Sequence, residues 1–91
     1  MIVARRFIVR GRVQGVGFRY FAIRAARQAG VDGAVRNLAD GTVEAIAEGP
    51  AESIDQFRKA LEQGPSYAHV EKVEEIEMPP TGRYSGFDAK V

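Results

Sequence analysis

The order of strand-like and helix-like hydrophobic periods along the chain is the feature that most constrains its fold. A two-residue period at the start predicts a strand that is apolar on parts of both faces, and so central in its sheet; its apolar positions are Val3, Phe7, Val9 and Val13 on one side and Ile2, Ala4 and Ile8 on the other. After a glycine-rich break at 14–17 the period becomes helical. This helix is expected to end at Gly30, and its buried positions are Phe18, Phe21, Ala22, Ala25 and Ala29.

Two further strands are predicted over 31–38 and 42–48. Between them, Asp40-Gly41 is a dipeptide typical of a tight hairpin turn. Alternate residues of the second of these strands are expected to point into the core, namely Val43, Ala45 and Ala47. The two strands are therefore expected to pair as an antiparallel hairpin.

The rest of the chain predicts a second helix and two more strands. Gly49-Pro50 opens the helix, with the proline near the first helical position, and Gly64-Pro65 ends it; the buried stripe is Ile54, Phe57 and Leu61. Residues 70–78 predict a fourth strand, in which the three-residue spacing of the apolar side chains indicates a β-bulge. A short last strand has the alternating residues Phe87, Ala89 and Val91.

The resulting order is β-α-β-β-α-β with a short C-terminal edge strand, which is the split βαβ or ferredoxin-like pattern. The predicted class is α+β, with two helices on one face of a mostly antiparallel sheet. No linker, repeat or low-complexity tract divides the sequence, so we expect residues 1–91 to form a single domain.

Composition excludes several classes of active site. The 91 residues include no cysteine and one histidine, so a disulfide framework, a thiolate nucleophile and a His-pair metal motif are all excluded. We expect no metal and no other cofactor, and an ordinary polar role for His69. No stretch approaches the roughly 20 apolar residues of a membrane span, and the arginines near the N-terminus interrupt any signal-like run. A cytoplasmic protein without membrane contact is therefore expected.

The net charge of +1 conceals a marked asymmetry. Residues 1–36 hold eight arginines and one acid, whereas the remainder has a net charge of −6. An all-arginine basic half favours a ligand that carries phosphate or carboxylate, because the guanidinium group binds these anions with two parallel hydrogen bonds. A solvated surface is the alternative, and we expect it for two sets of side chains: Arg5, Arg6, Arg10 and Arg12, and Glu71, Glu74, Glu75 and Glu77.

The segment GRVQGVGFR at 11–19 joins the end of the first strand to the start of the first helix. Its glycines allow a turn with positive φ, and amides just before a helix are unpaired at the positive end of its dipole. Arg19 lies in the first helical turn, where it can bind the same anion. Phosphatases with a cysteine nucleophile carry it six residues before the binding arginine, and here that residue is Val13. The segment predicts an oxyanion site without a covalent nucleophile, or alternatively only a tight turn.

Asn37 ends the second strand, which runs parallel to the first in a β-α-β unit. The asparagine and the 14–19 loop should therefore lie at the same edge of the sheet, roughly 10 Å apart if one strand separates them. An asparagine side chain donates and accepts hydrogen bonds, which suits it to orienting a water molecule. The alternative is that Asn37 caps the turn before Asp40-Gly41.

The sequence closely resembles the acylphosphatase family over almost its whole length. The resemblance is carried by GRVQGVGFR at 11–19, GAVRN at 33–37, DGTVE at 40–44 and EGP at 48–50. It implies hydrolysis of acyl phosphates, with Arg19 binding the phosphoryl group and Asn37 orienting the attacking water. It also implies backbone amide donors from Gln14, Gly15, Val16, Gly17 and Phe18. A monomer with inorganic phosphate as a competitive ligand is expected.

Two other classes of function occur on the same predicted fold. An RNA-binding module of the same fold carries exposed aromatic residues on its third strand, but 42–48 contains none, so no nucleic-acid partner is expected. A non-catalytic regulatory domain of this fold is the second alternative. Acylphosphatase-like domains also begin larger carbamoyl-transferring maturation proteins, but those continue into cysteine-rich zinc modules, and this sequence has no cysteine.

Overall fold

Seven elements follow one another in the computed structural model, which describes residues 1–90: β1 (Ile2–Arg12), α1 (Phe18–Ala29), β2 (Asp32–Asn37), β3 (Val43–Pro50), α2 (Ala51–Gln63), β4 (His69–Met78) and β5 (Phe87–Ala89). The strands form one sheet in the order β4-β1-β3-β2-β5. Neighbouring strands are antiparallel except β2 and β5, which are parallel. The predicted α+β, ferredoxin-like architecture is confirmed.

The structure refines the prediction at two places: the middle strand of the sheet and the boundary between β3 and α2. β1 is paired on both sides, as expected, but the middle strand of the sheet is β3. β3 continues to Pro50, and α2 begins at the next residue, so the proline occupies the N-cap position rather than the first helical turn. The backbone N–H of Ala51 donates to the carbonyl of Met1, which ties this junction to the start of β1. Val91 of the predicted last strand lies outside the described residues.

The core lies between the helices and one face of the sheet. The alternate residues Val43, Ala45 and Ala47 of β3 are fully buried on this face, as predicted. Phe57 of α2 contacts two aromatic rings of the sheet, with centroids 5.8 Å from Phe7 and 5.4 Å from Phe87. Such pairs stabilise a fold by about 0.5–1.5 kcal/mol beyond the buried area itself, so they fix α2 on the sheet.

The predicted bulge lies in β4 opposite the end of β1. Lys72 pairs with Arg10 and Val70 pairs with Gly11, which leaves Glu71 as the extra residue. The bulge lets both Val70 and Val73 pack against the core although they are three residues apart. A Cβ atom at Gly11 would lie 2.1 Å from the carbonyl oxygen of His69, so only glycine allows this approach of the two strands.

Cross-strand ion pairs occupy the β1–β4 edge, where the arginine and glutamate side chains that were expected to be solvated lie on neighbouring strands. The Arg10 Nε atom lies 2.5 Å from a Glu74 oxygen, and the Arg5 Nε atom lies 3.3 Å from a Glu75 oxygen. The arginines of β1 and the glutamates of β4 face one another because the two strands are neighbours in the sheet. This pairing could not be predicted from the sequence, because the two strands lie far apart along the chain. Each exposed pair of this kind contributes up to about 1 kcal/mol.

The face of the sheet opposite the helices contains two buried carboxylates. Glu44 of β3 accepts hydrogen bonds of 2.6 Å from Arg6 and 2.7 Å from Arg36. Burial raises the pKa of Glu44, but the hydrogen bonds and charges of the two guanidinium groups outweigh it and hold that pKa below its ordinary value. Glu48 accepts hydrogen bonds from Thr81 and the Gly82 amide, so it fixes the loop between β4 and β5 across this face.

Candidate active site

The loop between β1 and α1 brings backbone amides to one edge of the sheet. Val13 is buried beneath it, which anchors the loop to the core. Gly15 has φ 73° and Gly17, the N-cap of α1, has φ 75°. Residues with a Cβ atom seldom adopt this left-handed conformation. No side chain caps the helix at Gly17, so the first amides of α1 are left to bind an anion.

A cavity of about 160 Å³ lies beside this loop and is hereafter called the phosphate cavity. Its lining residues are Val13, Gly15, Gly17, Phe18, Arg19, Tyr20 and Asn37. β3 separates β1 from β2, so Asn37 lies at the same edge of the sheet as the loop and one strand away. The two segments singled out from the sequence therefore meet at one cavity, although 17 residues lie between Arg19 and Asn37 in the chain.

Arg19 is the one charged side chain among the described residues that line the phosphate cavity. Arg19 is exposed and forms no ion pair with any side chain of residues 1–90. The cavity lining contains no carboxylate. The site can therefore take an anion in contact with a guanidinium group, backbone amides and the amide of Asn37. Among the described residues, no group of three or more histidine and acidic side chains is placed to hold a metal ion.

Gln14 and Val16 do not line the phosphate cavity, although the sequence placed both in the amide loop. The Gln14 side chain instead crosses to the β2–β3 turn, where Nε2 donates to the carbonyl oxygens of Leu38 at 2.7 Å and Thr42 at 2.9 Å. These two bonds fasten the loop to the turn that follows Asn37. The sequence analysis did not predict this role. The only local sign of it is an amide side chain in a glycine-rich loop, which does not indicate the distant partner of that side chain.

The β2–β3 turn is itself stabilised by Asp40. Its carboxylate accepts hydrogen bonds from the hydroxyl of Thr42 at 2.6 Å and from the backbone amide of Thr42 at 3.0 Å. These bonds hold the pKa of Asp40 below its ordinary value. Asp40, rather than Asn37, therefore makes the side-chain bonds that shape this turn. This observation counts against the turn-capping alternative for Asn37.

A second tyrosine approaches the loop from the segment before β4. A Cβ atom at Gly17 would lie 3.7–3.8 Å from the ring and hydroxyl of Tyr67, so this ring covers one side of the glycine. No spacing in the sequence predicts this contact. It arises because the 64–68 segment passes the N-terminus of α1.

A larger cavity, of about 320 Å³, lies on the opposite face of the sheet between β2, β3 and the β4–β5 loop. It is lined by Arg36, Glu44 and Lys90 together with apolar residues. Glu44 is already paired with two arginines, and neither the amide loop nor Asn37 lines this cavity. Size alone therefore does not identify the site.

Comparisons with known proteins agree with the geometry. The family model for acylphosphatase matches residues 5–89. The acylphosphatase of Mannheimia succiniciproducens is 43% identical, over 98% of this chain and 99% of its own. The crystal structure of acylphosphatase from Bacillus subtilis has a TM-score of 0.93 at 36% identity, with complete coverage of both chains. The chain belongs to the acylphosphatase family.

Other acylphosphatases support the same assignment. The protein of Alkalilimnicola ehrlichii is 50% identical, over 87% of this chain and 92% of its own. Hydrolysis of acyl phosphates is the known activity of the acylphosphatase family, and its members are hydrolases. The resemblance that the four sequence motifs carry is therefore confirmed.

No helix among residues 1–90 has the length and apolar character needed to cross a membrane.

We expect Gln14→Leu to lower kcat/KM of this acylphosphatase by roughly tenfold, because misplacing a binding loop by about 1 Å can cost up to ~10²-fold in rate. Leucine removes both hydrogen bonds to the β2–β3 turn while retaining similar size. Gln28→Leu, on the exposed side of α1, is the control. Inhibition by inorganic phosphate should weaken in the Gln14 variant alone. A variant that is less stable but has unchanged kcat and phosphate inhibition would show a purely structural role.

Proposed function

We propose that this chain hydrolyses the carboxyl–phosphate anhydride bond of acyl phosphates by direct attack of water, with Arg19 and Asn37 as its catalytic residues. The observation that supports this proposal is the single cavity lined by Arg19, Asn37 and two positive-φ glycines. It combines an anion-binding loop with a side chain suited to holding water. Residues 1–91 act as one domain in this proposal.

Arg19 binds two oxygens of the phosphoryl group through its guanidinium fork. The amides of Gly15, Gly17 and Phe18, which line the phosphate cavity, supply the remaining donors at the positive end of the α1 dipole. The amides of Gln14 and Val16, on residues outside the cavity lining, stay predicted donors. Each charge-assisted hydrogen bond contributes about 1.5–3 kcal/mol. Donors fixed in this way also stabilise the charge that the phosphoryl oxygens carry in the transition state.

Asn37 holds the attacking water against phosphorus. The water oxygen forms a bond to phosphorus as the bond from phosphorus to the acyl oxygen breaks, and the carboxylate leaves with that electron pair. A carboxylate is a stable leaving group, so the step needs no general acid. The amide of Asn37 does not accept a proton under these conditions, so the proton of the water passes to a phosphoryl oxygen. The products are a carboxylate and inorganic phosphate.

Val13 supports direct attack over a covalent intermediate. It lies six residues before Arg19, the spacing at which cysteine-dependent phosphatases carry their thiolate, and its side chain is buried. The phosphate cavity of this chain is also lined by no serine, threonine, lysine, histidine or carboxylate. Its one hydroxyl group belongs to Tyr20, and no general base lines the cavity to activate it as a nucleophile. Water therefore takes the role of the nucleophile.

Inorganic phosphate is a product and has the same oxygens as the phosphoryl group, so we propose that it binds competitively. We further propose that the protein acts as a monomer and needs no cofactor. The chain's own cation and amides supply the electrophilic contacts that a metal ion gives in other phosphoryl-transfer sites.

The test is hydrolysis of benzoyl phosphate by the purified protein after exhaustive treatment with a chelator. We expect full activity in the chelated sample, because Arg19 and the loop amides provide the positive contacts. The measurement is the loss of benzoyl phosphate absorbance, compared with the untreated protein. Inorganic phosphate should raise KM without changing kcat.

A control sample receives the chelator followed by excess divalent metal, which should leave the rate unchanged. Restoration of a lost activity by metal alone would contradict the proposed site. Absence of benzoyl phosphate hydrolysis under every condition would instead favour a non-catalytic domain of this fold. The two outcomes are distinguished by the activity of the untreated protein.

A further inference from the structure

A second cavity adjoins the phosphate cavity at the start of α1. It has a volume of about 110 Å³ and is lined by Arg19, Tyr20, Ile23 and Ala89. Arg19 and Tyr20 also line the phosphate cavity, so the two cavities share a wall. The second cavity lies between the first turns of α1 and the end of β5, and we name it the acyl groove.

The surface of the acyl groove is largely apolar. Tyr20 is 77% exposed, more than any other aromatic side chain of residues 1–90. The half-buried Ile23 and the methyl group of Ala89 complete the lining. A single exposed apolar residue needs no explanation, but three apolar groups that line a groove beside an anion site suggest a ligand with both an anionic and an apolar part.

The size of the groove limits what the apolar part can be. A cavity of about 150 Å³ holds a benzene ring. The acyl groove is somewhat smaller, at about 110 Å³, but it opens to solvent beside the exposed ring of Tyr20. It can therefore take an aromatic ring partly stacked on Tyr20, or a branched aliphatic chain.

The position of the groove agrees with in-line attack. In phosphoryl transfer, the attacking and leaving oxygens lie on opposite sides of phosphorus. Of the two cavities, Asn37 lines the phosphate cavity and not the acyl groove. A phosphoryl group held by Arg19 can therefore have its water on the Asn37 side and its acyl oxygen directed toward Tyr20.

We propose that the acyl group of the substrate binds in this groove, with Tyr20 as its main contact, and that the enzyme therefore favours acyl phosphates with an aromatic or branched aliphatic acyl group. This inference rests on the proposed function, because it requires a phosphoryl group bound at Arg19. Apart from Arg19, the groove is lined by no charged residue. A charged acyl group gains no partner there once Arg19 binds the phosphoryl group.

The experiment compares kcat/KM for benzoyl phosphate and acetyl phosphate in the parent protein and three variants. Tyr20→Ala should lower the benzoyl-to-acetyl ratio roughly tenfold, the lower limit for loss of an apolar contact in a binding pocket. Tyr20→Phe keeps the ring and should leave the ratio within about twofold. Tyr84→Ala is the matched control, because Tyr84 lines the cavity on the opposite face of the sheet, and it should leave the ratio unchanged.

The outcomes separate this inference from the proposed function. If the parent hydrolyses neither substrate, the proposed function fails. If the parent hydrolyses both but Tyr20→Ala leaves the ratio unchanged, or lowers both values equally, only the acyl groove is contradicted. Because intrinsic reactivity of the two substrates cancels when ratios are compared between variants, a change confined to Tyr20→Ala supports the groove.

Discussion

Asn37→Ala is expected to lower kcat by about 100-fold or more while leaving inhibition by inorganic phosphate almost unchanged. The reason is that positioning a nucleophile can supply several kcal/mol of the barrier, at about 1.4 kcal/mol for each factor of ten. Asn37 is exposed at the end of β2 and takes part in no side-chain hydrogen bond within residues 1–90. Its loss should therefore affect the water more than the fold.

The control for this variant is Gln63→Ala, which removes an exposed amide side chain at the end of α2. It should retain parental kcat and KM. A fall in phosphate affinity that matches the fall in kcat would show that Asn37 binds the phosphoryl group rather than the water. Unfolding of both proteins by urea should give closely similar midpoints.

Isotope labelling examines the same step without a substitution. Hydrolysis in ¹⁸O-labelled water should place the label in inorganic phosphate, because the water oxygen bonds to phosphorus. With substrate in excess over enzyme, the pre-steady-state time course should show no burst of carboxylate, since no phospho-enzyme accumulates. Label in the carboxylate product would mean attack at the carbonyl carbon, and a trapped phospho-enzyme would mean a nucleophile within the protein.

Hydrophobic periods were sufficient to predict the element order and the core. The buried face of a helix has a spacing that is a local property of the sequence, as in Ile54, Phe57 and Leu61 of α2, which are all buried as expected. The same reasoning located the bulge in β4, because Val70 and Val73 must both face the core. The C-terminal end of β3 was harder to predict from the sequence, because Pro50 is compatible with the end of a strand and with the start of a helix.

Contacts between distant segments could not be predicted in the same way. The ion pairs of Arg5 and Arg10 with β4 depend on β1 and β4 being neighbours, and about 65–70 residues separate the partners in sequence. The bonds of Gln14 to the β2–β3 turn likewise require the sheet order. Sequence could therefore name the residues of the candidate site, whereas the side chain that ties its two halves together appeared only in three dimensions.

The convergence of Arg19 and Asn37 at one cavity could be predicted, because it follows from the order and direction of the strands in the sheet. A β-α-β crossover makes β1 and β2 parallel, and a hairpin strand inserted between them sets their spacing. No comparable sequence pattern predicts the acyl groove. Ala89 reaches it because β5 pairs in parallel with β2, and a three-residue strand gives little evidence of its partner.

Arg19→Lys is expected to lower kcat/KM by about 100-fold and to weaken inhibition by inorganic phosphate, although it conserves the charge. Lysine is a point cation that cannot form the two parallel hydrogen bonds of a guanidinium group. Loss of one charge-assisted bond costs about 1.5–3 kcal/mol, or roughly 10- to 150-fold. Arg24→Lys, on an exposed position of the same helix, should change neither constant. A lysine variant that binds inorganic phosphate as tightly as the parent would show that the loop amides, and not Arg19, hold the phosphoryl group.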